Sequence, residues 1–152
     1  MEKIIRRIIA DASVYTNGIH GISHWHRVAR YGRVIAAREH LDEQFLSLFA
    51  YFHDCQRLSD GRDPKHGPRA ADYLLTYTPE AIGLCEEDQK RLALACRHHT
   101  YEIETDDATI RACWDCDRLD LVRIGVMVDP GRLFTETAKD IAQRKLFLKV
   151  EE

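Results

Sequence analysis

Two histidines and two aspartates set far apart constrain this chain more than anything else in it. They are His24, the adjacent pair His53-Asp54, and Asp117. Together they form a complete nitrogen and oxygen ligand set for a first-row divalent ion such as Mn, Fe, Co, Ni or Zn. Each stands in a stretch that favours a helix, so several helices must converge on one point, as they can in a bundle. Adjacent residues cannot point the same way along a regular helix, so His53 and Asp54 can share an ion only where a helix ends and the backbone turns. Such wide spacing suits a buried metal used for chemistry rather than a small structural zinc.

Apolar spacing and turn residues outline the helices. Ile4, Ile5, Ile8, Ile9 and Ala12 predict a first helix over 2–15, broken by Asn17-Gly18. Ser23 is placed to cap a second helix running to about Ala37, with Trp25, Val28, Ala29, Val34 and Ile35 turned inward. Phe45, Leu46, Leu48, Phe49 and Phe52 mark a third, ending near His53-Asp54. Residues 59–67 hold two glycines and a proline and read as a loop, with a helix resuming by Pro68. Thr78-Pro79-Glu80 starts a turn or short helix, 86–99 and 107–121 are helical, and Thr135 caps a last helix. Arg123 to Val128 is the longest candidate strand and reads equally as an irregular loop. The expectation is one mainly helical domain over 1–152, with no repeat or low-complexity linker.

Bulk composition removes several function classes. The formal net charge is −3 with acids and bases intermixed, which argues against a general nucleic-acid surface. No apolar run approaches the roughly 18 residues of a membrane span. Met1-Glu2-Lys3 before Ile4-Ile5 is too short and too charged for a secretory leader, so the cytosol is the expected location. Cysteines 55, 85, 96, 113 and 116 are odd in number and mostly lie in apolar stretches, as free thiols do in a reducing compartment. Cys113 and Cys116 share a helix face without a second pair, which points to packing. A homodimer through an apolar face of the first or last helix is compatible with the sequence.

The order His24-x-x-Arg27-Val28, His53-Asp54, Asp117-Arg118-Leu119 resembles the HD superfamily of metal-dependent phosphohydrolases over positions 20 to 120. The stretches Cys96 to His99 and Trp114 to Leu121 resemble a small single-domain branch of it. The resemblance implies an all-α HD-like bundle with a central metal site, and His24, His53, Asp54 and Asp117 as ligands. It implies hydrolysis of a phosphomonoester or phosphodiester, in a nucleotide or small molecule, by metal-activated water. His66 and His99 resemble the extra ligands of binuclear members, so one or two ions are expected, with His98 competing with His99 for the role. The same set allows a di-iron oxygenase of the HD fold or a non-catalytic, metal-stabilised binding protein.

Other residues follow from their spacing. Arg27 shares a helix face with His24 and either clamps a phosphate or pairs with an internal carboxylate. Arg57, Arg62, Lys65 and Arg118 are further phosphate-binding candidates. Some mononuclear nucleotidase members carry a glutamate shortly after the His-Asp pair. This chain has Arg57-Leu58 there and then Asp60, which makes Asp60, with Asp54 and Arg27, a catalytic candidate. His20, four residues before His24, and Asp115 are candidates to orient a ligand. Asp120 is placed to meet an arginine, and Trp25 and Trp114 read as core.

Overall fold

The computed structural model describes residues 1–12 and 17–148. Helices α1 (Glu2–Asp11), α2 (Ile22–Glu39), α3 (Glu43–Phe52), α4 (His66–Leu74), α5 (Pro79–Ile82), α6 (Glu86–His98), α7 (Ala108–Leu119) and α8 (Glu136–Arg144) follow in order. The described residues contain no strand. Arg123 to Val128 begins in a 3-10 turn, Asp120–Ile124, and continues as irregular chain past Gly125, whose φ is +77°. The first helix ends at Asp11, where Ala12 turns extended, and the rest of the stretch predicted to reach 15 lies outside the described residues. α2 starts two residues earlier than predicted. Gly21 takes the cap position without a side-chain bond and Ser23 lies inside the helix. α4 likewise begins at His66 rather than Pro68.

The bundle is built around α3 and α7. Phe45, Leu46, Leu48, Phe49, Ala50, Tyr51 and Phe52 are all buried, so α3 is apolar on every side, as a helix enclosed by others must be. α2, α6 and α7 surround it, and α8 lies across α2 and α7. Trp25 and Trp114 are core residues whose indole N–H groups donate to the carbonyls of His20 and Ala95, so neither indole leaves its donor unpaired. Fully burying a side chain the size of Phe49 contributes about 1.5–3 kcal/mol. All five cysteines are free, and four of them, Cys85 apart, are buried.

Two glycines let helices approach closely. A Cβ at Gly32 would sit 3.1 Å from the Leu46 Cβ, which brings α2 against α3. A Cβ at Gly67 would sit 2.8 and 2.9 Å from the carbonyl oxygens of Cys96 and Arg97, so only glycine lets the start of α4 meet the end of α6.

Asp107 starts α7 and so helps to place Asp117. Its Oδ1 accepts from the N–H of Thr109 (2.9 Å) and Ile110 (3.1 Å), and its two oxygens take the Arg91 guanidinium at 2.7 and 3.0 Å. The Arg91 bond, with the helix N–H donors, holds the Asp107 carboxyl below its ordinary value against the opposing effect of burial. A depressed carboxyl pKa adds stability above the unfolded value, and that stability is lost as the pH falls through the folded one. Asp107→Ala is therefore expected to cost about 1 kcal/mol at neutral pH, or a melting temperature lower by roughly 2–4 °C. Thermal melts at falling pH should show the gap to wild type closing below the ordinary aspartate range.

Candidate metal centre

The centre forms where α3 stops. His53 closes the helix through its N–H to Phe49 O, and residues 53–56 turn, so His53 and Asp54 both face inward. α2 supplies His24, α4 His66, the end of α6 His99, and α7 Asp117. Asp54 stands between two groups of nitrogens. Its Oδ2 lies 3.8 Å from His24 Nε2 and 3.7 Å from His53 Nε2, while Asp117 Oδ1 lies 3.2 and 3.7 Å from the same two atoms. Its Oδ1 lies 3.2 Å from His66 Nε2 and 3.5 Å from His99 Nε2. Donors bound about 2.1 Å from a common ion lie roughly 3.0–3.4 Å apart in octahedral or tetrahedral arrangements, close to these separations.

The tautomers sharpen this fit. His24 Nδ1 donates to Asp120 Oδ2 at 2.7 Å, where the carboxylate also takes Arg27 Nε at 2.8 Å. His53 Nδ1 donates to Ala50 O at 2.9 Å, His99 Nδ1 to Cys96 O at 2.7 Å, and His66 Nδ1 to Asp63 O. Carbonyls cannot donate, so each ring's other nitrogen is a bare lone pair when the ring is neutral. His24 Nε2 nevertheless lies 3.1 Å from His53 Nε2, and His66 Nε2 lies 2.8 Å from His99 Nε2. Two lone pairs and a carboxylate oxygen at such distances repel unless a cation sits among them.

The surroundings of the rings divide them unevenly. Burial opposes charge on His24, but Asp117 and Asp120 outweigh it and raise its pKa, while burial pushes its partner His53 down to about 3. The second pair divides in the same way. Asp54 raises His99 against burial, and burial lowers His66. Asp54 and Asp117, which burial alone would raise, are held below the usual carboxylate range by the facing histidines. Each set thus carries one raised and one lowered histidine. The residues present fit a metal: His24, His53, Asp54 and Asp117 could hold one ion, and Asp54, His66 and His99 a second.

One solved structure shares this fold. The crystal structure of a predicted HD superfamily hydrolase from an uncultured Thermotogales bacterium matches with a TM-score of 0.78 and 28% identity. The match covers 96% of this chain and 84% of that one. This chain has the HD fold. No protein-family profile matches the sequence, and no curated protein matches it. The described residues include no helix long and apolar enough to cross a membrane.

Several expected residues lie elsewhere in the HD bundle. Arg27 is buried, bonded to Asp120 and turned from the cavity above the ligands, so of its two readings the internal pair is the one realised. Asp60 folds back on the 17–20 turn, where its Oδ1 takes the His20 N–H at 3.2 Å, and it does not line the cavity. Lys65 is exposed outside it. His99, not His98, faces the ligands. Asp115 is fully buried but serves the start of α8, accepting from the N–H groups of Phe134 and Thr135 and from the Thr135 hydroxyl. His20 does reach the centre, with Nδ1 3.1 Å from Asp54 Oδ2.

Asp120 meets an arginine, Arg27, as its spacing from Asp117 suggested, but sequence reasoning did not find its bond to His24. Arg123 and Arg132, which line the cavity, had no local signal. The short His66–His99 approach depends on Gly67. Gly67→Ala is expected to cost about 1–3 kcal/mol through overpacking and to lengthen that approach beyond 2.8 Å. Denaturant unfolding and a crystal structure of the variant would check both.

Proposed function

We propose that this HD protein is a metal-dependent phosphohydrolase whose two ions share Asp54. The fold, the facing lone pairs and the two carboxylates support a metal-dependent hydrolase. The observation that carries the phosphoester reading is the cavity above the ligands. It encloses about 840 Å³, has Asp54, His66, His99 and Asp117 in its wall, and is lined by Arg57, Arg62, Arg118, Arg123 and Arg132. Guanidinium groups match phosphate oxygens in charge and in bidentate geometry. Among the described residues, Arg62 and Arg132 pair with no carboxylate, which leaves them open to an anionic substrate. Arg118 is held by Glu102 and lies over the Phe134 ring.

When bound, the ions would lower the pKa of a water and offset charge developing on the phosphoryl group. The chain's own groups prepare the rest. Asp120 and three backbone carbonyls fix the ligand tautomers. Arg62 and Arg132 would orient the phosphate. His20 lines the cavity beside Asp54; its Nδ1 could join His24 and Asp54 around an ion, or the ring could pass a proton to the leaving oxygen. Nucleotides and small phosphorylated molecules are the expected substrates. A di-iron oxygenase would use the same six ligands, and a binding protein would keep them without turnover. The arginine-rich wall favours phosphate over both.

A panel of phosphomonoesters and phosphodiesters, assayed with Mn, Co, Ni, Fe or Zn, tests the reading. Asp54→Asn should lower turnover by about 100-fold or more and lower the metal content, while Lys65→Ala, outside the cavity, should behave as wild type. Oxygen consumption with ferrous iron, and no phosphate release from any member of the panel, would instead establish the oxygenase.

A further inference from the structure

The two ligand sets differ in charge, through the number of their carboxylates and through Arg57. The first set contains carboxylate oxygens from two aspartates, Asp54 Oδ2 and Asp117 Oδ1. The second has only Asp54 Oδ1, which is already shared. Against this second set lies a guanidinium. Arg57 Nη1 is 3.4 Å from Asp54 Oδ1 and 3.2 and 3.3 Å from the two ring nitrogens of His66. Near-equal distances to both nitrogens place it over the ring face, so it leaves the His66 Nε2 lone pair aimed at His99.

The guanidinium is also held in place. Its Nε donates to Ser59 O at 3.1 Å and its Nη2 to Gly61 O at 2.9 Å, and only 8% of the residue is exposed. A flexible cation could swing aside when a metal enters, but one tied by two carbonyls cannot. Like charges held a few ångström apart in a buried centre repel. Thr100 Oγ1, 3.2 Å from His66 Nε2, gives the second set a neutral donor as well, so this set is partly satisfied before any metal arrives.

We propose that Arg57, fixed against Asp54 and His66, makes the two ion positions unequal: the His24/His53/Asp54/Asp117 position keeps its ion, and the Asp54/His66/His99 position holds a weak, exchangeable one. The proposal rests on the two-ion reading above. Arg57 thereby supplies part of the positive charge that a second ion would otherwise bring, and a second ion is held firmly only when an anion in the cavity offsets the guanidinium.

The test is to dialyse the purified protein against graded Mn²⁺ and measure bound metal by elemental analysis, for wild type, Arg57→Gln and Arg57→Lys. Wild type should bind one Mn²⁺ tightly and a second at least about tenfold more weakly. Arg57→Gln should tighten the second step by about tenfold or more and leave the first nearly unchanged, while Arg57→Lys should keep the gap. Inorganic phosphate should tighten the second step in wild type more than in Arg57→Gln. Two equal steps in wild type would overturn the proposal even if no variant folds. So would an Arg57→Gln isotherm that matches wild type, or a single ion in both chains, although the metal reading would survive either result. Metal-free protein at every Mn²⁺ concentration would overturn the two-ion reading and this proposal with it.

Discussion

The structure depends on one carboxylate. Asp54 is buried, and its two oxygens face two separate pairs of imidazole lone pairs, so cations must neutralise both sides of the residue at once. Removing a carboxylate from water is costly, and the facing histidines offset that cost only when each pair carries a proton or a metal. α3 must therefore end where it does. One more regular turn would rotate Asp54 away from His53 and break the shared centre. The apolar body of α3 is what drives this polar end into the bundle interior.

The groups behind the ligands matter as much as the ligands. Asp120 bonds both His24 and Arg27 and lies 3.5 Å from Arg123, so one carboxylate orients a ligand and gathers two arginines. Backbone carbonyls of Ala50, Asp63 and Cys96 do the corresponding work for the other three rings. At Ala50 and Cys96 this works because carbonyls in the last turn of a helix lack intrahelical partners, whereas Asp63 lies in the turn before α4. Phe49 stacks on His53, with ring centroids 5.0 Å apart, so the core also holds that imidazole. Close packing at Gly67 then brings the second pair of rings together.

The arginines divide the work by depth. Arg27 and Arg57 are buried and committed to internal carboxylates and carbonyls, while Arg62 and Arg132 stand free on the cavity wall. The internal arginines shape the charge of the centre, and the outer ones are available to a substrate. Under the proposed function an anionic substrate would enter a basic cavity whose floor is acidic until ions fill it, so metal loading and phosphate binding would support each other.

Helix positions, most of the inward residues and the four candidate core ligands were legible in the sequence, because apolar periodicity and ligand chemistry are local properties; Val34, expected inward, is exposed on α2. So was the break after His53, since two adjacent ligands cannot share an ion on a regular helix. Whether Arg27 meets a phosphate or Asp120, and whether His98 or His99 turns inward, depends on helix rotation and on residues some 90 positions away. Asp60 looked like a replacement acid by its distance from Asp54, yet the loop carries it to the His20 backbone. The sequence by itself determined an all-helical chain with a metal-binding ligand set. Only the tertiary structure decided that Asp54 serves two sets and that a fixed guanidinium lies against one of them, because both depend on distances between helices that local residue patterns do not encode.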